Sequence, residues 1–67
     1  MAFGEAIRRV RTRTEVSQEN LALAADLDRS YVGGIERGEV NLALVNIAKL
    51  AAALGLSVEA LMKEADL

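Results

Sequence analysis

Arginine is the residue type in this sequence whose chemistry most restricts its function. A guanidinium presents a rigid fork of donors that fits a phosphate, or the edge of a guanine, with two hydrogen bonds. All six arginines fall within the first 38 of the 67 residues: Arg8, Arg9, Arg11, Arg13, Arg29 and Arg37. This distribution is compatible with a nucleic-acid partner, although the group at 8–13 is also typical of a solvated helix face.

The overall charge argues against such a partner. Eight basic and ten acidic residues give a formal net charge of −2, whereas nucleic-acid-binding domains are usually basic. Residues 1–38 contain six arginines and six acids and are neutral, while residues 39–67 contain two lysines and four acids and carry the −2. The charge is therefore polarised enough for DNA binding without being strongly basic.

Missing residue types exclude much of enzyme chemistry. The chain has no Cys and no His, which removes thiol nucleophiles, imidazole bases, Ser-His-Asp triads and imidazole metal ligands. Gly33, Gly34 and Gly38 do not have the spacing of a phosphate-binding loop. We therefore expect no catalytic residues, no metal site, no cofactor, no small-molecule ligand and no enzymatic activity.

Five helices are predicted from the helical spacing of apolar residues and from residues that typically begin or end a helix. They lie at about 3–12, 17–25, 29–38, 43–54 and 58–65. Ser17, Asp28 and Ser57 are good N-caps, because their side-chain oxygens accept hydrogen bonds from the first turn. Gly38 and Gly55 are natural C-terminal stops. Strand signals are absent, so the fold class is all-α, and residues 1–67 are expected to form one domain.

The predicted core is aliphatic, since the chain has one Phe and one Tyr. Its inward-facing residues are predicted to be Phe3, Ile7, Val10, Leu21, Ala25, Val32, Ile35, Leu44, Ile47, Leu50, Ala51 and Leu54. Ala22 is expected at the closest approach of the second and third helices. A core this small leaves only about 3–5 kcal/mol of net stability, which favours a homodimer. The apolar residues expected to form its surface are Val45, Leu61, Met62, Ala65 and Leu67.

A very short corner joins the second and third predicted helices. Only Asp26, Leu27 and Asp28 separate them, and Leu27 is expected to plug the corner. Two short helices joined in this way match a helix-turn-helix unit. A generic helical bundle with a tight turn has the same spacing, so spacing alone leaves both interpretations open.

The residue identities around the corner resemble one family. Three stretches, Ser17-Gln18-Glu19-Asn20-Leu21-Ala22, Leu27-Asp28-Arg29-Ser30-Tyr31-Val32 and Ile35-Glu36-Arg37-Gly38, followed by 41–56, are similar to the lambda-repressor-like (XRE-type) helix-turn-helix family. Within that family they most resemble controller proteins of restriction–modification systems. The resemblance implies a compact five-helix domain with its helix-turn-helix at about 17–38, a symmetric dimer, and a third helix in the DNA major groove.

The resemblance also implies a function. We expect a sequence-specific transcriptional regulator that binds double-stranded DNA as a homodimer on a pseudo-palindromic operator, with RNA polymerase as a further candidate partner. Separately from the resemblance, the absence of Cys, of a start of signal-peptide type and of any run of 18 apolar residues indicates a cytoplasmic protein with no membrane partner. The alternative is a protein-interaction or antitoxin-like module of the same fold with weak or no DNA binding.

The resemblance also implies DNA-binding roles for the residues of this sequence that match the family pattern. Gln18 would hydrogen-bond a backbone phosphate, helped by the helix N-terminus. Arg29 and Ser30, at the start of the third helix, would face base edges. Tyr31 would meet the sugar-phosphate or a base, and Arg37 would lie near the backbone. For Gln18 a plain surface position, and for Tyr31 partial burial, are the alternatives.

Gly33 and Gly34 complete the candidate DNA-binding set. A glycine within a helix costs up to about 1 kcal/mol relative to alanine, so two in succession suggest close approach of the backbone to DNA. Tight packing against another helix is the alternative. Glu36 and Arg37 could likewise form structural ion pairs instead of a DNA contact.

The sequence departs from the family pattern in three places, one of which spans two residues. Asp26 replaces the usual glycine at the corner, and Asp tolerates the left-handed conformation better than most residues. Val40 stands where a basic residue is frequent. Leu42 and Ala43 replace a common Pro-Ser start of the fourth helix, where Asn41 is a candidate cap. These changes weaken the expected phosphate binding and leave the fold intact.

Overall fold

Capped and amphipathic segments become five α-helices in the computed structural model, which describes residues 3–40 and 43–65. The helices are α1 (Phe3–Arg13), α2 (Gln18–Ala25), α3 (Arg29–Glu36), α4 (Leu44–Ala53) and α5 (Val58–Glu64). No strand forms within these two ranges. The predicted all-α class and the five helix positions are confirmed, with ends that differ by at most two residues.

Helix capping follows the predicted chemistry at three of the starts. Ser17, Asp28 and Ser57 each accept a hydrogen bond, of 3.0–3.2 Å, from a backbone N–H of the first turn that follows. Each bond satisfies a donor that the helix itself leaves unpaired. α4 differs, because Ala43 is its N-cap and no side chain caps it. The predicted cap Asn41 lies outside the described residues.

The corner between α2 and α3 is held by backbone geometry. Asp26 adopts the left-handed conformation, with φ 58° and ψ 46°, as predicted for a residue standing in place of glycine. The Leu27 N–H donates to the Ala22 carbonyl at 2.9 Å, which closes the end of α2. Leu27 itself packs against the core. The two helices therefore meet at a short turn that backbone hydrogen bonds close at the end of α2.

The core is formed by aliphatic side chains from all five helices. Its fully buried members with the largest side chains are Ile7, Val10, Leu21, Val32, Leu50 and Leu61. The prediction that Leu44 faces inward is wrong, because the side chain is 71% exposed. Leu44 shares the helical stripe of Ile47 and Leu50, but nothing among the described residues covers the first turn of α4.

Two residues predicted for a dimer surface belong to the core instead. Leu61 and Ala65 are fully buried, because α5 packs against both α1 and α4. Val45 and Met62 remain exposed, by 63% and 36%. Leu67, the last residue of that predicted surface, lies outside the described residues. Leu44 and Val45 are thus two adjacent exposed apolar residues at the start of α4, and Leu23 on α2 is also exposed, by 75%.

Gly4 lies where α1 crosses close to α3. A Cβ atom added to it would lie 2.0 Å from the Ile35 carbonyl oxygen and 3.0 Å from its carbonyl carbon. Only a residue without a side chain lets α1 cross α3 at this distance. Sequence analysis did not single out Gly4, since it lies near a helix start where glycine has little local meaning.

No single helix among the described residues is long and apolar enough to cross a membrane. α4 and α5 taken together satisfy length and composition, but they meet at 92° and contribute Ile47, Leu50 and Leu61 to the core.

Candidate nucleic-acid interface

The first turns of α2 and α3 border one open groove because the corner between them is so short. The groove has a volume of about 430 Å³ and is lined by polar side chains: Arg11, Ser17, Gln18, Glu19 and Arg29. Gln18 and Arg29, predicted from separate positions in the sequence, are thus brought to the same surface. Both stand at the start of a helix, where free backbone N–H groups add positive potential.

Arg29 and Ser30 differ in how far their side chains are already engaged. Both residues are exposed. The Ser30 hydroxyl donates to the Asp28 carboxylate at 3.1 Å, and the Ser30 N–H donates to the same oxygen at 3.2 Å. The hydroxyl proton of Ser30 is therefore occupied by the cap, which leaves its oxygen as an acceptor. Arg29 extends from the same turn into solvent.

Tyr31 joins α3 to α4. Its ring is half-buried and packs against the core, and its hydroxyl oxygen accepts a hydrogen bond of 2.9 Å from Asn46 Nδ2. Partial burial, the alternative raised for this residue, thus describes part of its environment. Because the oxygen is the acceptor, the hydroxyl proton remains available to donate. Asn46 was not singled out from the sequence.

A buried ion pair lies behind Gln18. Arg11 Nε donates to Glu36 Oε2 at 2.6 Å, and Arg11 Nη2 donates to Glu36 Oε1 at 3.0 Å. The two side chains are 14% and 3% exposed. Gln18 Nε2 also donates to Glu36 Oε1, at 2.9 Å. One carboxylate therefore connects α1, α2 and α3.

The structural ion pairs raised as the alternative for Glu36 and Arg37 do form, with Arg11 and Glu39 as their partners, but the sequence did not identify the partner of Glu36. The true partner, Arg11, lies 25 residues away. A signal was present, since Glu36 is four residues after Val32 on the inward stripe of α3, where a charged side chain must find a partner. Arg11, grouped with the other arginines of the first helix as a solvated face, is half-buried.

Opposing effects act on the pKa of Glu36. Burial raises the pKa, but the hydrogen bonds from Arg11 and Gln18, together with the positive charges of Arg11 and Arg8, lower it further than burial raises it. The pKa of Glu36 therefore lies below its ordinary value of 4.5. The hydrogen bond to Glu36 raises the pKa of Arg11. Both groups are charged at neutral pH.

The space over the α3 glycines is filled by this chain. A Cβ atom on Gly33 would lie 3.1 Å from Arg37 Nη1 and 3.7 Å from Gln18 Oε1, and one on Gly34 would lie 3.2 Å from Val40 Cγ1. Both glycines are buried. The bulk over them is side chain and not another helix backbone. Gly33 lets the Arg37 guanidinium lie back toward Gln18.

The remaining arginines are engaged to different degrees. Arg37 pairs with Glu39 at 3.0 Å, with both side chains about 60% exposed. Arg13 pairs with the Glu64 carboxylate at 2.8 Å, and Arg9 donates to the Glu64 carbonyl oxygen. Part of the basic group on α1 therefore anchors the end of α5, and any phosphate contact there must compete with those bonds.

Known proteins share this sequence pattern and fold. A family model described as helix-turn-helix (HTH_3) matches residues 7–61. The control protein C.BamHI of Bacillus amyloliquefaciens is 41% identical over 63 residues, which cover 92% of this chain and 78% of the relative. The crystal structure of the restriction–modification controller protein C.AhdI from Aeromonas hydrophila is similar, with 54% identity, a TM-score of 0.85, and coverage of 88% of this chain and 89% of that one.

A further similar structure contains DNA. It is the restriction–modification controller protein C.Esp1396I, crystallised as a tetramer in complex with its natural 35-base-pair operator. Its sequence is 33% identical and the TM-score is 0.82, with coverage of 92% of this chain and 87% of that one.

Proposed function

The chain belongs to the helix-turn-helix family, and from this membership we propose that it is a sequence-specific DNA-binding transcriptional regulator of the restriction–modification controller type. It acts as a homodimer on a pseudo-palindromic operator. One observation carries the proposal: the three-residue corner sets the exposed start of α3, with Arg29, beside Gln18 at the start of α2 in a single groove. A controller protein of similar fold and sequence binds its operator as a tetramer.

The start of α3 contacts base edges, and the start of α2 contacts a backbone phosphate. Arg29 is long enough to extend from α3 and make the bidentate contact to guanine O6 and N7, with Ser30 and Tyr31 beside it. Gln18 supplies a short amide donor for a phosphate, next to the free N–H groups of α2. Arg37 lies near the DNA backbone. Gly33 and Gly34 have no side chains, so they add no bulk to α3. In a dimer the two α3 helices would lie about 34 Å apart, in successive major grooves.

As a transcriptional regulator of this type, the protein acts on promoter DNA inside the cell. The regulator needs no cofactor and works in the cytoplasm, where it controls transcription by occupying promoter DNA and either blocking or recruiting RNA polymerase. Enzymatic activity forms no part of this function. The family membership supports the role in transcription.

A binding titration at several salt concentrations tests the function. Phosphate contacts release counterions, so the affinity for a random-sequence duplex must fall as salt rises. Because few arginines are free of bonds within the described part of the chain, few phosphates are neutralised. The slope of log K against log salt is therefore expected to be modest for a dimer, about −4 to −8. Selection of bound duplexes from a random pool would then give the operator sequence.

A second candidate function is a protein-interaction or antitoxin-like module. It is favoured by the net charge of −2 and by the engagement of Arg9, Arg11 and Arg13 with groups of the chain itself. The titration separates the two candidates, since a salt slope near zero would remove DNA binding and leave the interaction module.

A further inference from the structure

Glu36 is the last residue of α3 and its side chain is almost fully enclosed, at 3% exposure. A carboxylate in such a position is tolerated only when its oxygens are satisfied. Here Oε2 accepts from Arg11 Nε, and Oε1 accepts from both Arg11 Nη2 and Gln18 Nε2. The ion pair with Arg11 accounts for the burial. The bond to Gln18 is an additional contact, made by a residue that lines the groove.

That bond decides how the Gln18 amide is turned. An amide has a donor end and an acceptor end of nearly equal size, and only the donor end suits a phosphate. A carboxylate accepts and does not donate, so the NH₂ group of Gln18 must point toward Glu36. One N–H is used at 2.9 Å. The second makes no hydrogen bond within residues 3–40 and 43–65 and lies on the same end of the amide.

Arg11 removes the electrostatic objection to a carboxylate at this place. A lone negative charge behind Gln18 would repel a phosphate, but the guanidinium of Arg11 pairs with both carboxylate oxygens. Arg11 also donates to the Val16 carbonyl at 2.9 Å, just before the cap of α2. Gln18, which lines the groove, thus has an NH₂ group oriented by a neutralised ion pair.

We infer that Glu36 is a positioning residue for DNA binding: it holds the Gln18 amide with its donor end ready for a backbone phosphate. This inference rests on the proposed DNA-binding function. It makes Glu36, at the far end of α3 from Arg29, part of the machinery for sequence-independent affinity. Base recognition does not depend on it.

The test compares two substitutions with the same charge. Glu36→Gln keeps one carbonyl oxygen. That oxygen is expected at the Oε1 position, because Arg11 Nη2 and Gln18 Nε2 both donate there. Gln18 therefore keeps its acceptor in this variant. Glu36→Leu has a similar volume and no acceptor. Affinity for a random-sequence duplex is measured by fluorescence anisotropy for both variants, each with and without Gln18→Ala. Urea unfolding is measured for all four proteins.

Glu36→Gln is expected to bind the duplex about five-fold more tightly per half-site than Glu36→Leu, which is the effect of one ordinary hydrogen bond. With Gln18→Ala present, the two Glu36 variants are expected to bind equally. Equal binding while Gln18 is intact, or a difference that persists with Gln18→Ala, would overturn the positioning role. Absence of salt-dependent binding by the wild-type protein would instead overturn the proposed function itself.

A second pair of variants allows the same comparison if Glu36→Leu does not fold. If Glu36→Leu leaves the half-buried Arg11 unpaired and unfolds the protein, the same pair of substitutions is made with Arg11→Met, which removes the uncompensated charge. The two double variants again differ only in the acceptor offered to Gln18, and the same ratio is expected. A purely structural role would make affinity follow the free energy of unfolding and not the presence of the acceptor.

Discussion

At the scale of single residues, Arg29 and Gln18 stand at two helix starts on one groove and differ in what their side chains can recognise. Arg29 carries a planar fork of donors into solvent from the first turn of α3. Gln18 is half-buried and tied to Glu36, so its amide has a fixed direction and a short reach. A base edge requires the first kind of group, and a phosphate is well served by the second.

The two residues should therefore fail in different ways when they are truncated. Arg29→Ala is expected to lose about 1–3 kcal/mol per half-site on the operator and to flatten the preference at one symmetric base-pair position. Gln18→Ala is expected to weaken operator and random DNA by similar factors, because a phosphate carries no sequence information. Binding titrations on both duplexes measure this. Equal weakening by Arg29→Ala on both would make Arg29 a backbone contact.

Glu36 makes stability depend on pH. Because the pKa of Glu36 is lowered in the folded protein, its stabilising effect is complete above the ordinary value of 4.5 and is lost as the pH falls through the folded-state pKa. We expect the free energy of unfolding to decrease below about pH 5. In Glu36→Gln this component is absent, so the decrease should be shallower. Urea unfolding at a series of pH values checks it, and identical slopes would contradict the assignment.

At the scale of elements, the crossing of α1 over α3 depends on one missing side chain. Gly4 lies against the Ile35 carbonyl, a backbone group that cannot move without shifting α3. Gly34 is also buried, but the atom nearest to its added Cβ belongs to the side chain of Val40, which is 40% exposed and follows the helix. Gly4 lies in the first turn of α1 and Gly34 in the last turn of α3, and the atoms that an added Cβ would meet are backbone atoms at Gly4 and side-chain atoms at Gly34.

Alanine substitutions at the two glycines should have different effects on stability. Gly4→Ala is expected to destabilise the protein by about 2 kcal/mol or more, since overpacking against backbone forces the helices apart. Gly34→Ala, the matched control, is expected to be neutral or to stabilise by up to about 1 kcal/mol, because alanine favours a helix and Val40 can move aside. Thermal and urea unfolding measure both. A stabilising Gly4→Ala would contradict the close crossing.

At the scale of the whole molecule, the exposed apolar side chains are unevenly distributed. Leu44 and Val45 are adjacent at the start of α4, 71% and 63% exposed, and Met62 is exposed on α5. Exposed apolar surface of this kind is typical of an interface, and a small core gains stability from a second subunit. The dimer surface predicted on the C-terminal helices thus keeps Val45 and Met62, loses Leu61 and Ala65 to the core, and gains Leu44.

Charge introduced at this surface should prevent assembly. Val45→Glu is expected to shift the dimer to monomers at micromolar concentration in sedimentation equilibrium, because a carboxylate would be desolvated at the interface. Leu23→Glu, on α2, is the control: Leu23 is 75% exposed and its substitution should leave the dimer intact. If Leu23→Glu dissociates the dimer and Val45→Glu does not, the interface lies on α2.

The sequence by itself determined the helices, the corner and the fold class. Ser17, Asp28 and Ser57 act on the backbone within three residues of their own position, and Asp26 adopts its left-handed conformation through its own backbone preference. Effects of such short range can be read from neighbouring residues. The positions of Gln18 and Arg29 at the two helix starts follow from the same local rules.

Only the tertiary structure decided which side chains meet across the chain. Arg11 and Glu36, Tyr31 and Asn46, and Gly4 and Ile35 are separated by many residues, and no local rule pairs them. The exposure of Leu44 and the burial of Leu61 likewise depend on where each helix lies relative to the others, although both residues satisfy the same apolar periodicity. A helical pattern shows which face is apolar, but the packing of the remaining helices determines how much of that face is covered.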